Sequence, residues 1–128
     1  MVSILIVALG SALGGVARYV IAGWIQAYGG TSFPWGTLAV NTTGSLALGV
    51  LFGWLAGVPA SAQWRLFLAM GFCGAYTTFS TFSFETSQLM RDREWPAAGG
   101  YMLASVVGGV GALLLGFAAA GWLLRGRG

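Results

Sequence analysis

Apolar residues fill this chain in long stretches that charge does not interrupt: no Asp, Glu, Lys or Arg occurs in residues 19–64, 66–84 or 95–124. About 20 apolar residues suffice to cross a bilayer as a helix. The pattern therefore predicts four spans, at residues 2–28, 35–57, 62–90 and 95–124. Breakers separate them: Gly29-Gly30-Thr31-Ser32-Phe33-Pro34, then Gly57-Val58-Pro59-Ala60-Ser61, then Arg91-Asp92-Arg93-Glu94 with Pro96. Connections this short make neighbouring helices antiparallel. The expected fold is an all-α membrane protein, a single four-helix transmembrane domain over residues 1–128.

Composition agrees. The chain is 57% hydrophobic and 7% charged, with 22 glycines among 128 residues, outside the range of soluble domains. Residues 2–17 could be read as a signal peptide, but no Lys or Arg precedes them and Arg18 follows, which favours a first transmembrane helix. One Cys and no His exclude intrachain disulfides, multi-thiolate metal sites and histidine-based catalysis. Cys73 is expected to pack as a small apolar residue. The six arginines and three acids are scattered, so a nucleic-acid partner is not supported.

With four spans, Arg65, Arg125 and Arg127 fall on one side and Arg18, Arg91 and Arg93 on the other. Arginines in short loops set orientation, and here they balance. Either the chain inserts both ways, or it has too few charges to record a preference. Small residues recur every fourth position at Gly100, Ala104, Gly108, Ala112, Gly116 and Ala120, and again at Gly10 and Gly14 and at Gly49, Gly53 and Gly57. Such stripes let helix backbones approach closely and need no further role.

Candidate chemistry concentrates between Gly71 and Ser83, where five Ser and Thr hydroxyls surround Phe79 and Phe82. Hydroxyls interleaved with rings are a poor lipid-facing surface, because each polar group taken into hydrocarbon needs a partner. Phe79 and Phe82 share a helix face at a spacing of three. They either pack, or offer their electropositive edges to an anion beside the hydroxyls of Thr77, Thr78, Ser80, Thr81 and Ser83. Asn41, about six residues into the second span, is either interhelical glue or a functional amide. Gly74-Ala75-Tyr76-Thr77-Thr78 is a plausible helix break, which would free backbone carbonyls as ligands for a cation. Arg18 and Glu85 are the charges nearest the membrane core. Both are either interfacial or functional, and a vestibule arginine would concentrate anions.

Three segments resemble the signatures of the microbial Fluc (CrcB) fluoride channels. They are Gly14-Gly15-Val16-Ala17-Arg18-Tyr19, Gly36-Thr37-Leu38-Ala39-Val40-Asn41-Thr42-Thr43-Gly44, and residues 71–83 with Glu85. The resemblance runs the full length in span number and loop order, and the third segment is the most specific. It implies an antiparallel, dual-topology homodimer in the cytoplasmic (inner) membrane, with two fluoride pores and a third helix broken near its centre. It further implies a central Na⁺ held by the backbone carbonyls of Gly74 and Thr77. Pore phenylalanines map onto Phe79 and Phe82, and the essential amide maps onto Asn41. The polar track maps onto Thr37, Ser80, Thr81, Glu85, Tyr101 and Ser105, and the vestibule arginine onto Arg18. Two departures are visible: Gly109 stands where some relatives carry a second track serine, and Thr42-Thr43-Gly44 is more polar than the family pattern.

The activity implied is passive fluoride export that lowers intracellular fluoride and excludes chloride. A proton-coupled exporter of similar size would need an embedded carboxylate, most naturally in the first helix, which has none. A non-transporting assembly subunit would leave Asn41 and the hydroxyl run unexplained. An enzyme is not expected, because no nucleophile is paired with a base.

Overall fold

Inside hydrocarbon a backbone must satisfy its own hydrogen bonds, and every regular element among the described residues is helical. The structure is a computed structural model that describes all residues except Thr31, Val58, Ala60, Arg127 and Gly128. The turn readings at Thr31, Val58 and Ala60 and the orientation charge Arg127 thus lie outside the described residues. In chain order the elements are α1 (Val2–Gly29), α2 (Trp35–Leu55), α3 (Ala62–Arg65), a π-helical stretch (Leu66–Cys73), α4 (Gly74–Tyr76), α5 (Phe79–Arg91) and α6 (Trp95–Arg125). Three of them, α1, α2 and α6, are long and apolar enough to cross a membrane.

The remaining predicted span is divided. Helix continues from α3 to α4, then Thr77 and Thr78 take extended backbone angles (φ −91°, ψ 159° and φ −151°, ψ 120°), and α5 begins at Phe79. The bend therefore falls where glycine and β-branched residues adjoin. The π-helical stretch was not foreseen, because Leu66–Cys73 is uniformly apolar and nothing in its spacing marks a wider turn.

Glycine sets the helix contacts. A side-chain carbon at Gly10 or Gly14 would collide with the carbonyl oxygens of Phe67 or Phe72, so α1 lies directly on the π-helical stretch. Gly36 meets the Ala22 carbonyl where α2 crosses α1. The most extensive interface joins α2 to α6: Gly49 rests on the Leu113 carbonyl, Gly116 on that of Leu46, and Gly53 on Phe117 and Ala120. Overpacking a close contact costs about 1–3 kcal/mol. Gly49→Val is accordingly expected to lower the thermal unfolding midpoint in detergent, and an unchanged midpoint would contradict this packing.

The expected stripe on α6 is only half used. Gly116 and Ala120 are buried, whereas Gly100 and Ala104 are exposed, and nothing lies within 4 Å of a side-chain carbon built at Gly100. At that level α6 turns a different face inward, carrying Ala98 and Tyr101. Gly100 follows Ala98 by about 200° around the helix axis. Leu89, Ala98 and Tyr101 form the buried centre of this end, with Phe33, Leu38 and Phe82 packed on it.

Polar side chains close the helix ends. Gln26 bridges the α1–α2 turn: its Nε2 donates to the Phe33 carbonyl at 3.0 Å, and its Oε1 accepts from Gly36 N at 3.0 Å. Arg65 Nη2 donates to the Leu55 carbonyl at 3.4 Å, a cation at the negative end of α2.

Candidate functional site

The bend is held by one amide. Asn41 Oδ1 accepts from Thr78 N at 2.7 Å while its Nδ2 donates to Thr78 O at 3.0 Å, a reciprocal pair that replaces helical bonding. Gly44, one turn further along α2, makes the approach possible: a side-chain carbon there would strike Thr77 Cγ2 and lie 2.9 Å from the Tyr76 ring. Thr78 then caps α5, its Oγ1 accepting from Thr81 N at 3.2 Å.

These bonds have a consequence for the carbonyls. In an unbroken helix Thr78 N would bond Gly74 O, and Thr81 N would bond Thr77 O. Here Asn41 and the Thr78 hydroxyl hold those two donors. The break takes helical donors from the carbonyls of residues 74–77; those that Gly74 and Thr77 would have used are the two held by Asn41 and Thr78, and Gly74 lies exposed on the chain surface. Hard carbonyl oxygens of this kind suit an alkali or alkaline-earth cation. The Thr77 oxygen also faces Arg18, whose Nη1 lies 3.5 Å away. Arg18 is therefore found at the bend, half-buried.

Beside the bend is a cavity of about 230 Å³, lined by Asn41, Ser45, Thr77, Thr78, Phe79, Phe82, Ser105, Val106 and Gly109. Phe79 and Phe82 stand 5.5 Å apart with their planes tilted by 45°. Phe79 is 78% exposed, so little of the chain itself covers it. Ser105 Oγ is buried without a hydrogen-bond partner among the described residues. A buried unpaired hydroxyl costs about 1–3 kcal/mol, so this one is a group awaiting an acceptor or a donor. Thr78 Oγ1 lies 3.3 Å from Ser80 Oγ and donates to Thr81 Oγ1 at 3.1 Å, which gathers the predicted hydroxyls into one group.

A second cluster lies one turn along α5. Glu85 accepts from Thr37 Oγ1 at 2.8 Å on one oxygen and from Tyr101 Oη at 2.7 Å on the other. Tyr101 has no exposed surface and Thr37 is buried, so both hydroxyls are fixed against the carboxylate. This cluster faces a cleft of about 560 Å³ that Tyr19, Gln26, Ser32, Gln88 and Asp92 also line. The Phe82 ring, which lines the cavity, sits 5.1 Å from that of Tyr101, the hydrogen-bond partner of Glu85.

The predicted residues thus fall into three places. Asn41, Phe79, Phe82 and Ser105 line the cavity, with Ser80 and Thr81 tied to it through Thr78. Thr37, Glu85 and Tyr101 form the second cluster, and Arg18, Gly74 and Thr77 surround the bend. Two cavity residues, Ser45 and Val106, were not among the expected site residues. Thr78 was expected as one of the hydroxyls beside the ring pair, and its capping role carried a further readable signal, a threonine three residues before another hydroxyl at a helix start. Ser45 carried none beyond lying four residues after Asn41.

The bent segment of this helical membrane protein thus borders a cavity lined by hydroxyls and aromatic rings. Residues 5–117 match the family described as CrcB-like protein, Camphor Resistance (CrcB), and the chain belongs to that family. It is 49% identical over 116 residues to the fluoride-specific ion channel FluC of Nitrobacter winogradskyi, covering 88% of this chain and 90% of the relative. Identity is 42% over 125 residues to that of Leptospira interrogans, covering 96% and 94%. It is 46% over 121 residues to fluoride-specific ion channel FluC 1 of Thermobifida fusca, covering 94% and 98%. These relatives are named as channels, in line with the expectation that the chain is not an enzyme.

Proposed function

We propose that this chain is a fluoride-selective channel that lets F⁻ leave the cell passively through the cytoplasmic membrane. The observation that carries the reading is the cavity in which Asn41, the rings of Phe79 and Phe82 and the unpartnered Ser105 hydroxyl converge. Fluoride is small and strongly hydrated, so it gives up water only to donors at short range. Hydroxyls and positive ring edges are such donors, and none of them carries a charge that would trap the ion. Chloride is too large for the same close contacts.

Thr37 and Tyr101 extend the path towards the cleft. Their hydroxyls already donate to an anion, the Glu85 carboxylate. A passing fluoride takes over these donors as Glu85 swings towards the cleft it borders, so the two hydroxyls keep an acceptor and water in the cleft solvates the carboxylate. A negative-inside potential drives the anion out with about 2.3 kcal/mol per 100 mV.

In this reading α3 through α5 together complete a fourth crossing, and two copies assemble antiparallel. The balanced arginines support insertion in both orientations, and the 78% exposed Phe79 awaits a covering surface. Such a dimer contains two pores. The Gly74 and Thr77 carbonyls of the two copies would hold a central Na⁺, which when bound would neutralise oxygens that the bend has taken from their helical donors, the Thr77 oxygen turning from Arg18 to the ion. The lipid bilayer and a second copy are then the partners.

The test is efflux from proteoliposomes loaded with fluoride. Electrogenic loss of F⁻, accelerated by a K⁺ ionophore and matched by no comparable Cl⁻ loss, is expected. Flux that requires a proton gradient would replace the channel with a coupled exporter.

A further inference from the structure

Ser105 and Gly109 stand one turn apart on α6 and line the same cavity, but Gly109 brings no side chain to it. The space in front of Gly109 is instead met from the opposite helix. A side-chain carbon built at Gly109 would lie 3.7 Å from Ser45 Oγ, at ordinary contact distance. We propose that Ser45 of α2 is a fluoride-contacting residue of this pathway, supplying from across the cavity the hydroxyl that position 109 lacks. The assignment rests on the channel reading above and adds a residue to it.

Ser45 Oγ donates to the Asn41 carbonyl at 2.7 Å. That bond is easily given up, because the same carbonyl already receives the helical N–H of residue 45. Rotation of the hydroxyl proton into the cavity leaves no backbone group unsatisfied. Ser45 is also half-buried, and it lines the cavity together with Ser105, whose hydroxyl has no partner among the described residues. An ion between the two helices would find a donor on each side. Asn41 and Ser45 lie one turn apart on α2, so the ion would pass from amide to hydroxyl without leaving that face.

The experiment compares fluoride efflux from proteoliposomes holding wild-type protein, Ser45→Ala, Ser45→Thr, Gly109→Ser and the Ser45→Ala/Gly109→Ser pair. All are first checked for monodisperse elution in detergent. Loss of a hydrogen bond to a charged ligand predicts about a tenfold drop for Ser45→Ala. Ser45→Thr, which keeps the hydroxyl and the bond to Asn41, retains flux. The pair recovers most of the loss, because a serine at 109 reaches the same space, and Gly109→Ser alone conducts. Unchanged flux in Ser45→Ala overturns the assignment while leaving the channel intact. Loss in Ser45→Ala that the pair does not recover, or loss in Ser45→Thr, makes Ser45 structural and also overturns it. Wild-type liposomes that release no fluoride overturn the channel reading, and this assignment with it.

Discussion

Asn41→Asp is expected to reduce fluoride flux at least about 100-fold while the protein still elutes as an assembled species. The amide does two opposite things at one peptide: it accepts from Thr78 N at 2.7 Å and donates to Thr78 O at 3.0 Å. An aspartate keeps the first bond. Its second oxygen would face the Thr78 carbonyl, acceptor against acceptor, and would carry negative charge into an anion path. Two like charges 4 Å apart repel by about 4 kcal/mol at an effective dielectric of 20. Half of that would already impose a barrier worth more than tenfold, and the lost hydrogen bond adds to it. The check is initial efflux measured with a fluoride electrode, normalised to protein incorporated. Wild-type rates in Asn41→Asp would remove Asn41 from the pathway and leave it as a strut of the bend.

That prediction joins two features the sequence presents as separate. Asn41 reads as an amide too deep in a span, and residues 74–78 read as a place where a helix could break. Their pairing is not legible, because a 37-residue separation leaves no periodic trace and the contact depends on how closely α2 approaches. Gly44 permits that approach, but a glycine in a membrane helix has many uses. The long spans were legible for the opposite reason: absence of charge over about 20 residues is a property of the segment alone. The π-helical stretch was hidden, since its backbone differs from an α-helix and its composition does not.

The small-residue stripe on α6 shows the same limit in another form. Its spacing correctly marks a surface where a backbone can approach, but spacing cannot say how much of it one chain uses. Gly116 and Ala120 meet α2, whereas a side-chain carbon at Gly100 would meet nothing within 4 Å among the described residues and Ala104 is exposed. The hydroxyl run divides likewise. Thr78 and Thr81 face inward and bond one another, whereas Ser83 turns outward and donates to the Phe79 carbonyl at 3.0 Å. Adjacent hydroxyls therefore differ in purpose because the helix rotates each by about 100° from the last.

Phe82→Ile carries the second large expectation, a fall in fluoride flux of at least about 100-fold with little loss of stability. Phe82 is the ring that touches both clusters, 5.5 Å from Phe79 and 5.1 Å from Tyr101. Isoleucine is smaller, but Phe82 is only half-buried and the exchange keeps most of its apolar contact, so it is expected to cost about 1–2 kcal/mol of stability. What it cannot replace is the positive ring edge, the one feature of Phe82 that can hold an anion part-way between Ser105 and the Tyr101 hydroxyl. A packing role and a conducting role thus predict different results from one substitution. Were Phe82 only packing, flux would survive along with the fold. Were it conducting, flux would fall while the unfolding midpoint stayed within a few degrees, and Phe82→Tyr, which keeps an aromatic edge, would retain part of the activity. Parallel loss of flux and midpoint in Phe82→Ile would point to collapse of the Tyr101 cluster and would withdraw Phe82 from the ion's path.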